Sequence, residues 1–322
     1  TICALESFDA NRSPSPRPSD DSPRTGPECE AFANEEASAT EASVRRSPFG
    51  RRHPRVREQG VRLAERWLED SSVVLRHVVD LASDADARVR FQVALSLGKS
   101  ENTAQKITAL ERIALHEQAD AWTQLAVLSA TGEYAEPMLL KLLQPRDNQV
   151  ARQSGRDFIR GLAHLVGARH KNSEIERVLD AVLKSSSSPQ LSARQLIVLK
   201  NLGRGMAWRS RSFAALIDNA GSTGRRLAEL LEQIAFLARD SHTAMPLRRH
   251  CIEVLRYAGF SRAGETLLEI VQSTVSQELR LLAMDVASSY DDPRISRVLL
   301  ADFASQTPVV RRAVVDAMLS NR

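Results

Sequence analysis

The feature that most constrains this chain is a helical segment that returns about every 33 residues. DARVRFQVALSLG, from Asp86 to Gly98, opens on an acid suited to cap a helix. It continues with Val-Arg and then sets Val89, Val93, Ala94 and Leu97 at helical spacing. The same pattern stands upstream as HPRVREQGVRLAE (His53 to Glu65) and, more loosely, downstream as DAWTQLAVLSA (Asp120 to Ala130). Aligning Arg57, Arg90 and Thr123 gives two steps of 33 residues. Near the other end Arg248, Arg280 and Arg311 fall in LRRHCIEVLRYAG, LRLLAMDVASSYDD and VRRAVVDAMLSN, with steps of 32 and 31. A fixed period in this range predicts stacked helical pairs, each sheltering its neighbours' apolar faces, rather than one globular core.

Composition agrees with helices and no sheet. Aromatic residues make up only 5% of the chain. Leu, Ala and Val carry the apolar fraction, and no stretch alternates with period two. The 322 residues suffice for seven to eight such repeats. No apolar run approaches the eighteen or so residues that a transmembrane helix needs, and TICALESFDANR lacks the basic start and long apolar centre of a signal peptide.

Two regions follow from the pattern. Residues 1–50, with SPSPRPSDDSPRTGP and ANEEASATEAS, hold six of the thirteen prolines and too little apolar surface to offset the entropy of ordering, and are expected to be a disordered, low-complexity segment. Residues 51–322 are expected to form the repeat array. Pro54 suits the first turn of its first helix, with Val56, Val61, Leu63, Ala64 and Leu68 as the buried stripe, and Ser71 or Ser72 caps the next. In the second pair Val89 and Leu95 are assigned to the buried side, and Gly98 is read as a left-handed helix stop. SSSSP at 185–189 reads as a connector. The 54 residues between Arg194 and Arg248 break the period and leave room for extra helices, at SFAALIDNAG and GRRLAELLEQIAFLARD. TPVVRRAVVDAMLSNR reads as the first helix of a pair whose second member is missing, so the last repeat is truncated and the chain is expected to be a fragment.

The charge is uneven. The formal net charge is +4, but residues 1–50 hold nine acids and five bases, which leaves +8 on the remainder. Six of the basic residues are Lys and the rest Arg. Because many of these arginines recur at one repeat position, they are assigned a structural duty in stacking, together with the capping acids. The stacking set is Arg57, Asp86, Arg90, Asp120, Arg248, Arg280 and Arg311. A nucleic-acid groove is the lesser alternative.

Sites of chemistry are sparse. The three cysteines, Cys3, Cys29 and Cys251, are too scattered for a disulfide framework or a zinc site, and Cys251 reads as a small buried residue. The seven histidines form no pair at metal spacing, and no phosphate-binding or nucleophile-elbow motif occurs, so no catalytic, metal or cofactor residue is assigned. GRGMAWRSRS supplies the one candidate partner contact, Arg204, Trp208, Arg209 and Arg211, where Arg beside Trp can stack on a sugar, a base or a partner side chain. The competing reading tucks Trp208 into the core of an irregular connection. Trp67 and Trp122 are expected in the core.

The quoted segments resemble HEAT repeats of the short bacterial type, with an Asp-Pro-x-Val-Arg-like opening and an Ala/Leu-rich first helix. That resemblance implies a right-handed α-solenoid of helical hairpins serving as a non-catalytic scaffold for protein domains or partner proteins. More narrowly, DARVRFQVALSLG and DAWTQLAVLSA look like the repeat region of planctomycete-type membrane-bound dehydrogenase-like proteins. In those a sugar-dehydrogenase-like propeller precedes the repeats and a c-type cytochrome domain follows, which would imply the cell envelope or periplasm. This chain has no Cys-x-x-Cys-His run, so any c-type haem would belong to a downstream domain.

Overall fold

In the computed structural model the described residues are 48–50, 53–100, 104–116, 120–144, 153–184, 191–208, 211–219, 221–273 and 276–320. The expected disordered segment, apart from 48–50, and the 185–189 connector lie outside them. All regular structure among the described residues is helical. They fall into two compact units, divided near residues 114–130.

Unit 1 contains α1 (Pro54–Ala64), α2 (Ser72–Asp80), α3 (Ala87–Leu97), α4 (Ala104–Ala114) and α5 (Ala121–Thr131). Local chemistry sets the starts. Pro54 stands in the first turn of α1, where its missing N–H costs nothing, and the Ser71 hydroxyl accepts from the Val74 amide at 3.4 Å to cap α2. Asp86 caps α3 by accepting from the Arg88 amide at 2.9 Å. Packing between α1 and α3, two helices a period apart, buries Val61, Ala64, Val89, Val93, Ala94 and Leu97 completely. The expected stripe is otherwise too broad. Val56, Leu63 and Leu95 are 44%, 47% and 40% exposed, because these helices bury a narrower arc than their apolar residues span. Trp122 is 72% exposed on α5 and Trp67 is half-buried beneath the Arg66 guanidinium, so neither is a core residue. Gly98 ends α3 in a right-handed conformation, φ −59°, rather than a left-handed one. Its value is space: a Cβ there would lie 3.3 Å from that of Ala130.

Unit 2 contains α6 (Ala135–Leu143), α7 (Gln153–Arg169), α8 (Asn172–Lys184), α9 (Ala193–Ala207), α10 (Phe213–Asn219), α11 (Gly221–Arg239), α12 (Met245–Leu255), α13 (Phe260–Gln272), α14 (Gln277–Ala287), α15 (Pro293–Ala301) and α16 (Pro308–Ser320). Their contacts form two layers. The first helices pack in the order α7, α9, α12, α14, α16, and the second helices in the order α6, α8, α11, α13, α15. This is a stack of hairpins, each packing chiefly on its neighbours in either layer among the described residues. The 54-residue step is filled by α10 and a long α11. Here α10 is an added turn, with Phe213 fully buried and its amide bonded to the Tyr257 carbonyl at 3.0 Å.

The tightest seam joins α7 to α9. A Cβ on Gly167 would lie 2.2 Å from the Leu202 carbonyl oxygen, and one on Gly205 only 2.1 Å from that of His164. Both obstacles are main-chain atoms, so neither can swing aside. The two helices therefore approach backbone to backbone, which only glycine at both positions allows. Gly167→Ala and Gly205→Ala are each expected to destabilise unit 2 by about 3 kcal/mol or more, at or above the usual overpacking range. Urea unfolding followed by circular dichroism checks this, and alanine at the open position Gly132, φ +53° with nothing nearby, controls for strain without a clash.

Candidate functional site

The recurring arginine does one job in several hairpins. A helix leaves its last carbonyls without intrahelical partners, and it also gathers negative partial charge at that end. Arg248 in the first turn of α12 reaches back to the end of α11, its Nε donating to the Ala238 carbonyl at 3.1 Å and its Nη2 to that of Arg239 at 3.4 Å. Arg280 repeats this one hairpin later, donating to the Val271 carbonyl at 3.0 Å and to the Gln306 side chain at 3.1 Å. Arg90, 1% exposed, donates to the carbonyls of Asp84 (2.6 Å) and Ala85 (3.0 Å) in the turn before α3. Arg194 donates to the Leu142 carbonyl at the end of α6.

Other members of the stacking set do different work. Arg57 makes a two-pronged pair with the Asp84 carboxylate, at 2.6 and 2.8 Å, joining α1 to the turn before α3. Asp86 and Asp120 are caps within their own hairpins. Asp120 accepts from the Thr123 amide at 2.7 Å, and this bond, aided by the Thr123 hydroxyl and by Arg90, holds its carboxyl below the usual range. Arg311 occupies the same helix position on α16 but lies exposed, and its guanidinium makes no hydrogen bond among the described residues.

Sequence reasoning missed the acids that tie first helix to first helix in unit 2. Lys200 of α9 pairs with Glu253 of α12 at 2.8 Å, while Arg249 and Arg256 of α12 pair with Glu278 and Asp285 of α14. The signal was present: Glu253 and Asp285 are 32 residues apart, the period of the arginines. Burial alone would raise the Glu253 carboxyl, but bonds from His250 and Lys200 outweigh it and hold the group down at about 2. Asp292 was also missed as a cap. It accepts from the Arg294 amide at 2.9 Å at the start of α15, as Asp86 does for α3.

Two surface features remain open. Between α13 and α15 lies a cleft of about 650 Å³, lined by Glu265, Glu269, Gln272, Ser273, Arg294 and Val298. Arg239 pairs with Glu269 at its edge (3.0 Å), and Arg294 lies 4.7 Å from the centre of the Phe260 ring. The second feature is the end of α9. Trp208 is 81% exposed there, contrary to a core position, with Arg204 and Arg211 also exposed and Arg209 outside the described residues. Cys251 is fully buried, which pushes its thiol up to about 12 and leaves it a packing residue. Among the described residues no group of His, Cys, Asp and Glu could hold a metal ion, and no helix is long and apolar enough to cross a membrane.

What the layers and their arginine ties define is a protein of stacked helical hairpins. No family model matches the chain, and no curated protein matches it. Among solved structures it is similar to an archaeal HEAT-like repeats protein from Thermococcus onnurineus NA1, at 12% identity over 81% of this chain and 92% of that one, with a TM-score of 0.32.

Two outcomes test the site chemistry. Arg248→Ala should cost about 2 kcal/mol or more by stranding buried carbonyls, whereas Arg311→Ala should change stability by about 0.5 kcal/mol or less, both by urea unfolding. Because the folded Glu253 carboxyl is depressed below its ordinary 4.5, its contribution is fully present above that pH and fades as pH falls toward about 2. Unfolding midpoints measured across that window should fall less steeply for Glu253→Gln than for the parent chain.

Proposed function

We propose that this chain is a non-catalytic scaffold of the HEAT-like kind, with helical repeats over residues 51–322 that hold partner proteins or neighbouring domains. One observation carries the reading: three of the recurring arginines, Arg90, Arg248 and Arg280, are spent on carbonyls at the junctions between hairpins, and a fourth, Arg57, on the Asp84 carboxylate. Those arginines thus build the stack, and other positions are left to the surface, including the cleft of mixed lining between α13 and α15. Such open, unevenly charged faces suit extended polypeptide segments more than small substrates.

The same observation weakens the nucleic-acid alternative. Arginines already bonded to carbonyls and carboxylates have less to offer a phosphate backbone. A finer reading, resting on resemblance alone, makes the array a spacer between the propeller and haem domains of a dehydrogenase-like cytochrome. Flanking coding sequence with a propeller upstream and a Cys-x-x-Cys-His downstream would support that reading, and their absence would remove it.

The scaffold reading is tested by placing a photo-cross-linking residue at Glu269, at Trp208 or, as a control, at Arg88 in cells making the chain. Discrete polypeptide adducts are expected from at least one of the first two positions and not from Arg88. Adducts from none of them, or cross-links to nucleic acid alone, would overturn it.

A further inference from the structure

The C-terminal turns of α7, α9 and α12 lie side by side at one edge of unit 2. Gly167 and Gly205 meet there, and the Tyr257 ring, just past α12, lies over Gly203. Most cations along this edge are matched by acids. Arg169 lies 3.2 Å from Glu174 and 3.5 Å from Glu133, Lys171 is 3.1 Å from Glu133, and Arg256 pairs with Asp285. Arg204 and Arg211 differ. Neither has a carboxylate within ion-pair distance among the described residues, and the Arg211 guanidinium donates to the neutral Asn172 side chain, at 2.9 Å. Arg204 sits close enough to His164 of α7 and to Tyr257 for its charge to act on both.

The bland account covers only part of this. A cation in the last turn of α9 offsets the helix dipole, which explains Arg204. It does not explain a bare indole four residues on, on the same side of the helix. The core gains nothing from Trp208, since the seams beneath are already closed by glycine against backbone and by Tyr257. Exposed Trp flanked by unpaired Arg is the composition of an interface centre, where indole supplies contact area and guanidinium supplies charge-assisted bonds.

We propose that Arg204, Trp208 and Arg211 form a docking edge for a short acidic polypeptide segment of a partner protein. Its carboxylates meet the two guanidiniums and an apolar side chain covers the indole. This rests on the scaffold reading and adds the chemistry of the partner. A polypeptide fits better than nucleic acid because the unpaired positive patch is short. A phosphate backbone extended beyond it would meet cations already matched by acids, Arg169 and Lys171 by Glu133 and Arg256 by Asp285, and would gain little from them.

The test measures anisotropy of a fluorescein-labelled peptide of alternating Glu and Leu with the full chain. The probes compared with it are its Gln-for-Glu counterpart and a single-stranded oligodeoxynucleotide. The Glu peptide should bind saturably and weaken about tenfold or more with Arg204→Glu plus Arg211→Glu, and separately with Trp208→Ala. Trp122→Ala, which removes an equally bare indole in unit 1, should leave it unchanged, and helical content should be the same in all variants. Equal binding of the Gln peptide would overturn the acidic chemistry while leaving the scaffold reading intact. No saturable binding of the Glu peptide, or an oligonucleotide that binds more tightly through the same residues, would overturn the docking edge. The scaffold reading itself fails only on the cross-linking outcome.

Discussion

Three hairpins of unit 2 depend on an arginine that closes the carbonyl end of the helix before it, Arg194 for α6, Arg248 for α11 and Arg280 for α13. Four carbonyls at a helix C-terminus lack intrahelical partners, and in a stack some of them are buried by the next hairpin, where water cannot serve. A guanidinium from the following first helix resolves this with several donors and a charge of the right sign for the helix end. Arg248 and Arg280 do so for α11 and α13 in the same way, one repeat apart. The arginine thereby couples the position of one hairpin to the ending of its predecessor, so the apolar layers above and below meet in register.

Charge pairs and glycines then adjust that scheme locally. The acid at Glu253 and Asp285 links first helix to first helix, and bonds from His250 and Lys200 hold the Glu253 carboxyl below its ordinary range despite its burial. Where α7 crosses α9, the spacing is set by glycine against backbone rather than by side chains, which draws the two helices closer than aliphatic packing would permit. The extra helix α10 and the long α11 follow that crossing, so the break in period coincides with a change in how the layers meet.

Surface chemistry is distributed differently. Arg90, Arg248 and Arg280 are taken up in ties between hairpins, while the Glu265, Glu269 and Arg294 cleft on the second-helix layer and the Trp208 edge on the first reach solvent. Substitution at such positions leaves the ties between hairpins undisturbed.

Much of the fold was legible because it is local and periodic. Asp86, Ser71 and Pro54 announce helix starts through bonds made within a few residues, and the return of Arg at one position identifies the stacking unit. Burial was legible only in part. Val89 and Leu95 look alike in a helical pattern, yet one is wholly buried and the other 40% exposed, because the arc a neighbouring helix covers is a property of the packed pair. The same reason separates Trp122 from the core position expected of it, Trp208 from the competing core reading, and Arg311 from Arg248. Sequence by itself determined the helices, their caps and their repetition. Tertiary structure alone decided which side of each helix is covered, which glycines carry a crossing, and which arginines are left to face solvent, since those depend on contacts between residues far apart in the chain.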